Sequence, residues 1–276
     1  MKNALSIDLE FWYSAELVRP YAQEGNDLVV EMTEPILGLL DTYNTKATFF
    51  VLGKVAEMYP ELIKEISEKG HEIASHSYSH KTLSELGKDG FENEIKSSVS
   101  ILRKITGEKV RGFRAPTFSI CNKNIWALDI LKKYNFDYDS SVFPLRTNLY
   151  GVSNAPLHPY WPSFKDISKE CEEHKILEVP LTVCKFHFLK IPIAGGFYLR
   201  ALPLRVLKAL MKKTNKERPV IMYLHPWELI PLAPRVNLPY FSKFITYYNI
   251  DSTFDKLKYL LNNFKYSPIE DVIDEI

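Results

Sequence analysis

Short apolar runs with strand character take turns with amphipathic stretches of helical period along most of the chain, and this alternation restricts the fold more than any other feature. A strand, a crossover helix and a second parallel strand form a βαβ unit. A train of such units builds a parallel sheet or barrel covered by helices. Strands are expected over 4–9, 47–52, 71–75, 110–113 and 136–138, then again from 176–181 and over 220–224. Between them the spacing of apolar residues predicts helices over 34–43 (with Thr33 as its cap), 55–69, 91–106, 123–134, 204–213 and 252–263. The stretch 144–175 has no clear period. It holds Pro144, Pro156, His158, Pro159, Trp161, Pro162 and His174, and reads as a functional loop or lid.

A chain of 276 residues, 46% of them apolar, can bury a sizeable core, and its length fits one α/β barrel as well as two smaller domains. Lys and Arg number 35 against 34 Asp and Glu, a balance that points to no nucleic-acid partner. Cys121, Cys171 and Cys184 form no CxxC pair and no even set, so they read as buried thiols rather than a thiolate metal site or a disulfide framework. Met1-Lys2-Asn3 passes directly into an apolar alternation too short for a signal sequence, and no run approaches the length of a membrane span. These features lead us to expect a cytoplasmic protein. The segment 202–216 carries Arg205, Lys208, Lys212 and Lys213 among Leu, Val and Met. It reads as an outer barrel helix, with peripheral contact to an anionic membrane as the alternative.

The chemistry-bearing residues fall at the expected ends of strands. His76 and His80 follow the third strand in the run Gly70-His71-Glu72-Ile73-Ala74-Ser75-His76-Ser77-Tyr78-Ser79-His80. Four-residue spacing on a helical turn would place both imidazoles on one face, close enough to share a metal ion. Asp8 and Glu10 end the first strand, Arg114 and Pro116 follow the fourth, and His225 follows the strand at 220–224. Each has an ordinary reading of its own: a turn cap for Asp8, a surface ion pair for Arg114, a core position for His225. In barrel-like α/β proteins strand ends converge on one mouth, which is where their coincidence matters.

The order of these motifs resembles the polysaccharide deacetylase family, the NodB-homology or carbohydrate esterase family 4 group. They read here as Ser6-Ile7-Asp8-Leu9-Glu10, His76-Ser77-Tyr78-Ser79-His80, Arg114-Ala115-Pro116 and Leu224-His225, with Gly70-His71-Glu72-Ile73 leading into the second. The resemblance implies an α/β fold, a deformed (β/α)7-type barrel in a single domain over 1–276, with 144–175 as an irregular insertion. It further implies hydrolysis of an N-acyl group, usually acetyl, from an amino sugar. By position, His76 and His80 would be metal ligands, Asp8 the general base, Arg114 its holder and His225 the general acid, with Pro116 shaping the loop beside the site.

The family's first motif commonly has two adjacent aspartates, whereas Leu9 separates Asp8 from Glu10 here. Residues two apart on a strand face the same side, so both carboxylates can still reach the mouth. Glu10 is the expected third ligand; the alternative has Asp8 on the metal and Glu10 behind it. A carboxylate with two imidazoles suits a catalytic zinc site with open positions, and Co2+, Ni2+ or Fe2+ would serve the same chemistry. Ser140, in Asp139-Ser140-Ser141, and Trp227, beside His225, are candidate substrate contacts, as is close backbone approach at Gly195-Gly196. The expected activity is metal-dependent N-deacetylation of an N-acetylated amino sugar in a surface glycan or its precursor. The rivals are a non-sugar amide hydrolase of the same fold and an inactive glycan-binding barrel.

Overall fold

The computed structural model describes residues 1–171, 176–187 and 189–275, so the expectation for His174 lies outside the described residues. Its centre is a curled parallel sheet. The strands are β1 (Asn3–Leu9), β2 (Thr48–Val51), β3 (Glu72–Ser75), β4 (Gly112–Phe113), β5 (Tyr138–Asp139) and β6 (Leu177–Glu178), paired in that order. A two-stranded antiparallel ribbon, β7 (Val183–Phe186) with β8 (Leu189–Pro192), stands apart from the sheet. β9 (Ile221–Leu224) pairs with β1 through Ala4 to Ile7, and β10 (Tyr266–Ser267) pairs with the start of β1. Between β6 and β9 the curl is bridged by Thr182, whose N–H donates to the Ile221 carbonyl at 3.3 Å while its Oγ1 accepts from Ile221 N at 2.7 Å. This is the α/β barrel of the (β/α)7 type that the motif order implies.

Both faces of the sheet are covered, which is why β1 is buried at every position. Leu5, Ile7, Leu9, Phe49 and Val51 pack outward against the helices, while Ala4, Phe50, Ala74, Tyr138 and Tyr223 fill the inside of the curl. The helices are α1 (Val29–Thr42), α2 (Gly53–Met58), α3 (Pro60–Glu68), α4 (Leu83–Thr106), α5 (Ala127–Lys133) and α6 (Gly196–Ala201). They continue with α7 (Leu204–Thr214), α8 (Pro226–Leu229), α9 (Tyr240–Tyr247), α10 (Thr253–Asn263) and α11 (Ile269–Asp274). No helix among the described residues is long and apolar enough to cross a membrane. α7 buries Leu207, Leu210 and Met211 against the barrel, as an outer barrel helix should.

Several boundaries differ from the sequence reading. Thr33 does not cap a helix; it lies inside α1, where its hydroxyl donates to the Val29 carbonyl at 2.6 Å. The apolar stripe Val29, Met32, Ile36 runs through Glu34-Pro35, so burial outweighs the local look of a first turn. The helix expected over 55–69 is two, α2 and α3, because Pro60 cannot continue α2 and instead starts α3. α4 begins eight residues before the expected position 91, on a capping box between Thr82 and Glu85, and kinks at Gly87 (φ 65°). Of 144–171, the described part of the irregular stretch, no residue belongs to a named helix or strand. It is nevertheless anchored: Tyr160 is buried, bridges to Glu178, and donates its hydroxyl to the Ile167 carbonyl at 2.6 Å. Cys184 is buried as expected, but Cys121 and Cys171 are only half-buried.

Candidate active site

Strand register assembles the site. Leu9 pairs with Val51, Val51 with Ser75, Ser75 with Phe113 and Phe113 with Asp139. The residues one step further, Glu10, His76, Arg114 and Ser140, therefore leave the sheet at one level, and His225 follows the Leu224 that pairs with Ile7. Ser6, Asp8 and Glu10 alternate with the outward-facing Ile7 and Leu9, so all three turn into the mouth.

Glu10, His76 and His80 form a buried cluster whose candidate ligand atoms all lie within 4.8 Å of one another. Glu10 Oε2 stands 2.5 Å from His80 Nε2 and 3.9 Å from His76 Nε2. The two imidazoles do not share a helical turn, contrary to the spacing argument. Ser77 (φ 67°) and His80 (φ 62°) are left-handed, and the intervening loop folds back to bring the rings 5.3 Å apart. That loop is held by Glu94 of α4, which accepts from Tyr78 N, Ser79 N, Ser77 Oγ and Ser79 Oγ at 2.7–3.0 Å. His76 Nδ1 lies 2.8 Å from the Arg114 carbonyl, a contact that takes the ring proton and leaves the Nε2 lone pair towards Glu10.

Burial would raise the Glu10 pKa, but the charges of His80 and His225 and the His80 contact outweigh it and hold the carboxyl at about 2. Burial lowers His76 to about 4, against the pull of Asp8, so the ring stays neutral at physiological pH. Glu10 Oε2 is buried and receives no well-directed hydrogen bond. An ionised carboxylate oxygen left in that state, facing two imidazole nitrogens, is a donor set that fits a divalent cation.

Asp8 sits one strand position inside this cluster and belongs to a different network. Arg114 is completely buried and donates from Nη1 to Asp8 Oδ1 at 2.6 Å and to Ser6 Oγ at 2.9 Å. Its Nε and Nη2 go to the carbonyl and hydroxyl of Ser140 at 3.1 and 2.9 Å, and its guanidinium lies 4.0 Å over the Phe50 ring. Ser140 is thus not a substrate contact. It is fully buried behind Arg114, with its own hydroxyl donating to the Val179 carbonyl. Pro116 is buried between Ala115 and Thr117, which line the cavity while it does not.

On the opposite wall His225 Nε2 faces Glu10 Oε1 at 3.6 Å and Asp8 Oδ2 at 4.0 Å. Its Nδ1 lies 2.7 Å from Glu228 Oε2, and Glu228 Oε1 accepts from Arg200 at 2.8 Å. Burial would lower the His225 pKa, but the carboxylates of Glu10, Glu228 and Asp8 raise it to about 9, so the ring carries its proton at neutral pH. Trp227 stacks on His225 with centroids 5.3 Å apart and donates from Nε1 to Glu10 Oε1 at 3.3 Å. Gly195 and Gly196 leave room not for a ligand but for Tyr223 and the Glu228 carboxylate, which a Cβ at either position would strike. Glu228 was legible as the third residue after His225; neither Glu94 nor Arg200 carries any sequence signal.

Residues 24–138 match the family model for polysaccharide deacetylase, and residues 140–274 match that for a domain of unknown function, DUF3473. The stretch 24–138 belongs to the polysaccharide deacetylase family. The two matched stretches meet at β5, within the continuous sheet, while Asp8 and Glu10 precede both. The chain is 37% identical over 107 residues to a peptidoglycan-N-acetylglucosamine deacetylase of Bacillus cereus, a match covering 38% of each protein. It is 34% identical over 100 residues to a chitooligosaccharide deacetylase of Sinorhizobium fredii, covering 36% of this chain and 44% of that one. The matches therefore span less than half of these curated relatives. A solved structure from Mycobacterium smegmatis assigned to the polysaccharide deacetylases superposes with a TM-score of 0.59 at 16% identity, over 100% of this chain and 91% of the other, and shares its fold.

Proposed function

We propose that the protein is a metal-dependent hydrolase that removes an N-acyl group, chiefly N-acetyl, from an amino sugar of a surface glycan or its precursor. The observation that carries this reading is the meeting of three units at one mouth: the Glu10–His76–His80 cluster, the Asp8–Arg114 pair and the His225–Glu228 pair. The deacetylase relatives support amino-sugar amides over other amides. The spaced first motif, which would have supported an inactive barrel, leaves both carboxylates in the mouth.

Glu10, His76 and His80 would hold the cation, Zn2+ first and Co2+, Ni2+ or Fe2+ in its place. When bound it supplies Lewis acidity, polarising the acyl oxygen and acidifying water. Asp8 is the base. Arg114 occupies Oδ1 and keeps the carboxylate aligned, so Oδ2 is the oxygen that takes the water proton. His225 is the acid: Glu228 fixes its Nδ1 side, and the Nε2 proton goes to the departing amine. Trp227, stacked on that ring, and Pro116, setting the adjacent loop, would shape the space for the sugar.

The test is acetate release from chitooligosaccharides and peptidoglycan fragments by metal-loaded protein, before and after chelation. Release that chelation abolishes and added metal restores is the expected result. Metal-loaded protein that frees a carboxylic acid only from non-sugar amides would move the reading to the rival hydrolase. Release from neither group of substrates would leave a binding protein.

A further inference from the structure

The cavity that opens from the catalytic groups has a volume of about 600 Å³, in the range that takes a drug-sized ligand and far beyond what two acetyl carbons occupy. Its composition is uneven. Besides the charged catalytic groups its walls include Leu17, Val18, Leu149, Phe197, Phe241 and Phe244, with Glu16, Thr147, Asn148 and Tyr198 among them. Two of the polar groups on that side are engaged within the protein. Arg200 donates to Glu228 and to the Ile245 carbonyl, and Thr147 Oγ1 to the Tyr150 carbonyl. Sugar hydroxyls would be desolvated there with little to replace water.

The apolar wall also leads outward. Phe241 and Phe244 line the cavity yet are 59% and 44% exposed, and Leu149 on the facing irregular stretch is 47% exposed. A second cavity of about 670 Å³ adjoins the first along Glu16, Thr117, Phe118 and Thr147 to Tyr150, and its remaining walls set Asn122, Lys123, Arg146 and Asn154 beside Ile120, Cys121 and Val152. The first cavity is thus the apolar compartment of the two, and the second the more polar one.

We infer that the substrate is amphiphilic, its sugar directed to the polar compartment and an apolar chain seated between Leu149 and the Phe241–Phe244 face of α9. This deepens the proposed deacylase reading and rests on it. The chain has two chemical sources, a long N-acyl group or a lipid on the glycosidic oxygen.

The test is equilibrium binding by calorimetry, which needs no turnover. One arm compares N-hexanoylglucosamine with N-acetylglucosamine; the other compares the octyl with the methyl glycoside of N-acetylglucosamine. Burying a methylene is worth about a factor of four, so at least tenfold tighter binding of the long ligand in one arm is expected, and that arm identifies the source. Phe244→Ser and, on the exposed loop, Leu149→Asn should each shrink the long-to-short ratio several-fold. Equal affinities in both arms, failure of both long-chain ligands to bind, or a ratio unchanged in both variants overturns the inference. Acetate release measured on the same short ligands reports separately on the deacylase reading.

Discussion

Glu228 holds His225 by its Nδ1 at 2.7 Å and is itself held by Arg200 at 2.8 Å, a three-residue chain that ends at the proton proposed for the leaving amine. If His225 is the acid, His225→Ala should keep its metal and lose about 10²–10⁴-fold in kcat. Glu228→Gln should lower kcat by a smaller factor, about tenfold or more, with KM little changed, because it loosens the ring without removing it. Steady-state kinetics beside metal analysis checks both. Near wild-type turnover in His225→Ala would exclude it as the acid.

Glu94 touches no proposed ligand directly, yet its carboxylate gathers the loop that carries His80. Groups that orient ligands commonly cost 10–100-fold in metal affinity when removed. Glu94→Gln should weaken Zn2+ binding by about that factor in competition with a chromogenic chelator, and excess metal should restore much of the activity. Unchanged affinity would mean that the loop is held by the Gly53 and Lys54 backbone contacts alone.

Arg114 and Asp8 are a buried ion pair, with side-chain exposures of 0% and 2%. Removing one partner of such a pair leaves the other charge stranded and costs about 3–5 kcal/mol. Arg114→Met should show that loss in urea unfolding, together with collapse of activity. Arg114→Lys keeps the charge but loses the fork that reaches Ser6, Asp8 and Ser140, and should recover only part of the stability.

His71, at the base of the barrel, has its pKa lowered by burial from 6.5 to about 4, while its Nδ1 accepts from Ala47 N at 3.2 Å. The unfolded chain therefore binds this proton at higher pH than the folded one. Its contribution to stability is intact above about pH 6.5 and is lost as pH falls towards 4, by roughly 3 kcal/mol in all. His71→Gln should flatten that part of the stability-against-pH curve measured by chemical unfolding. A curve unchanged by the substitution would place the acid sensitivity elsewhere.

The alternation of periods in the chain carried the architecture, because a buried parallel strand must be apolar along its length and a covering helix apolar on one stripe. For the same reason Asp8, Glu10, His76, Arg114 and His225 stood out: charged side chains at the tips of such strands have nowhere to point but the mouth. What local pattern could not carry was the company each one keeps. Spacing suggested a helical turn for His76 and His80, but a loop gathered by Glu94 from a distant helix brings them together. Sequence favoured Glu10 over Asp8 as the ligand but kept the reverse open; in the folded barrel Arg114 lies against Asp8 and the imidazoles against Glu10. Ser140 read as a pocket residue, and only the closing of the sheet showed it packed behind Arg114. Periodicity records which face of an element avoids water. Partners from elements far apart in the chain are chosen by strand register and sheet curvature, which exist only once the chain has folded.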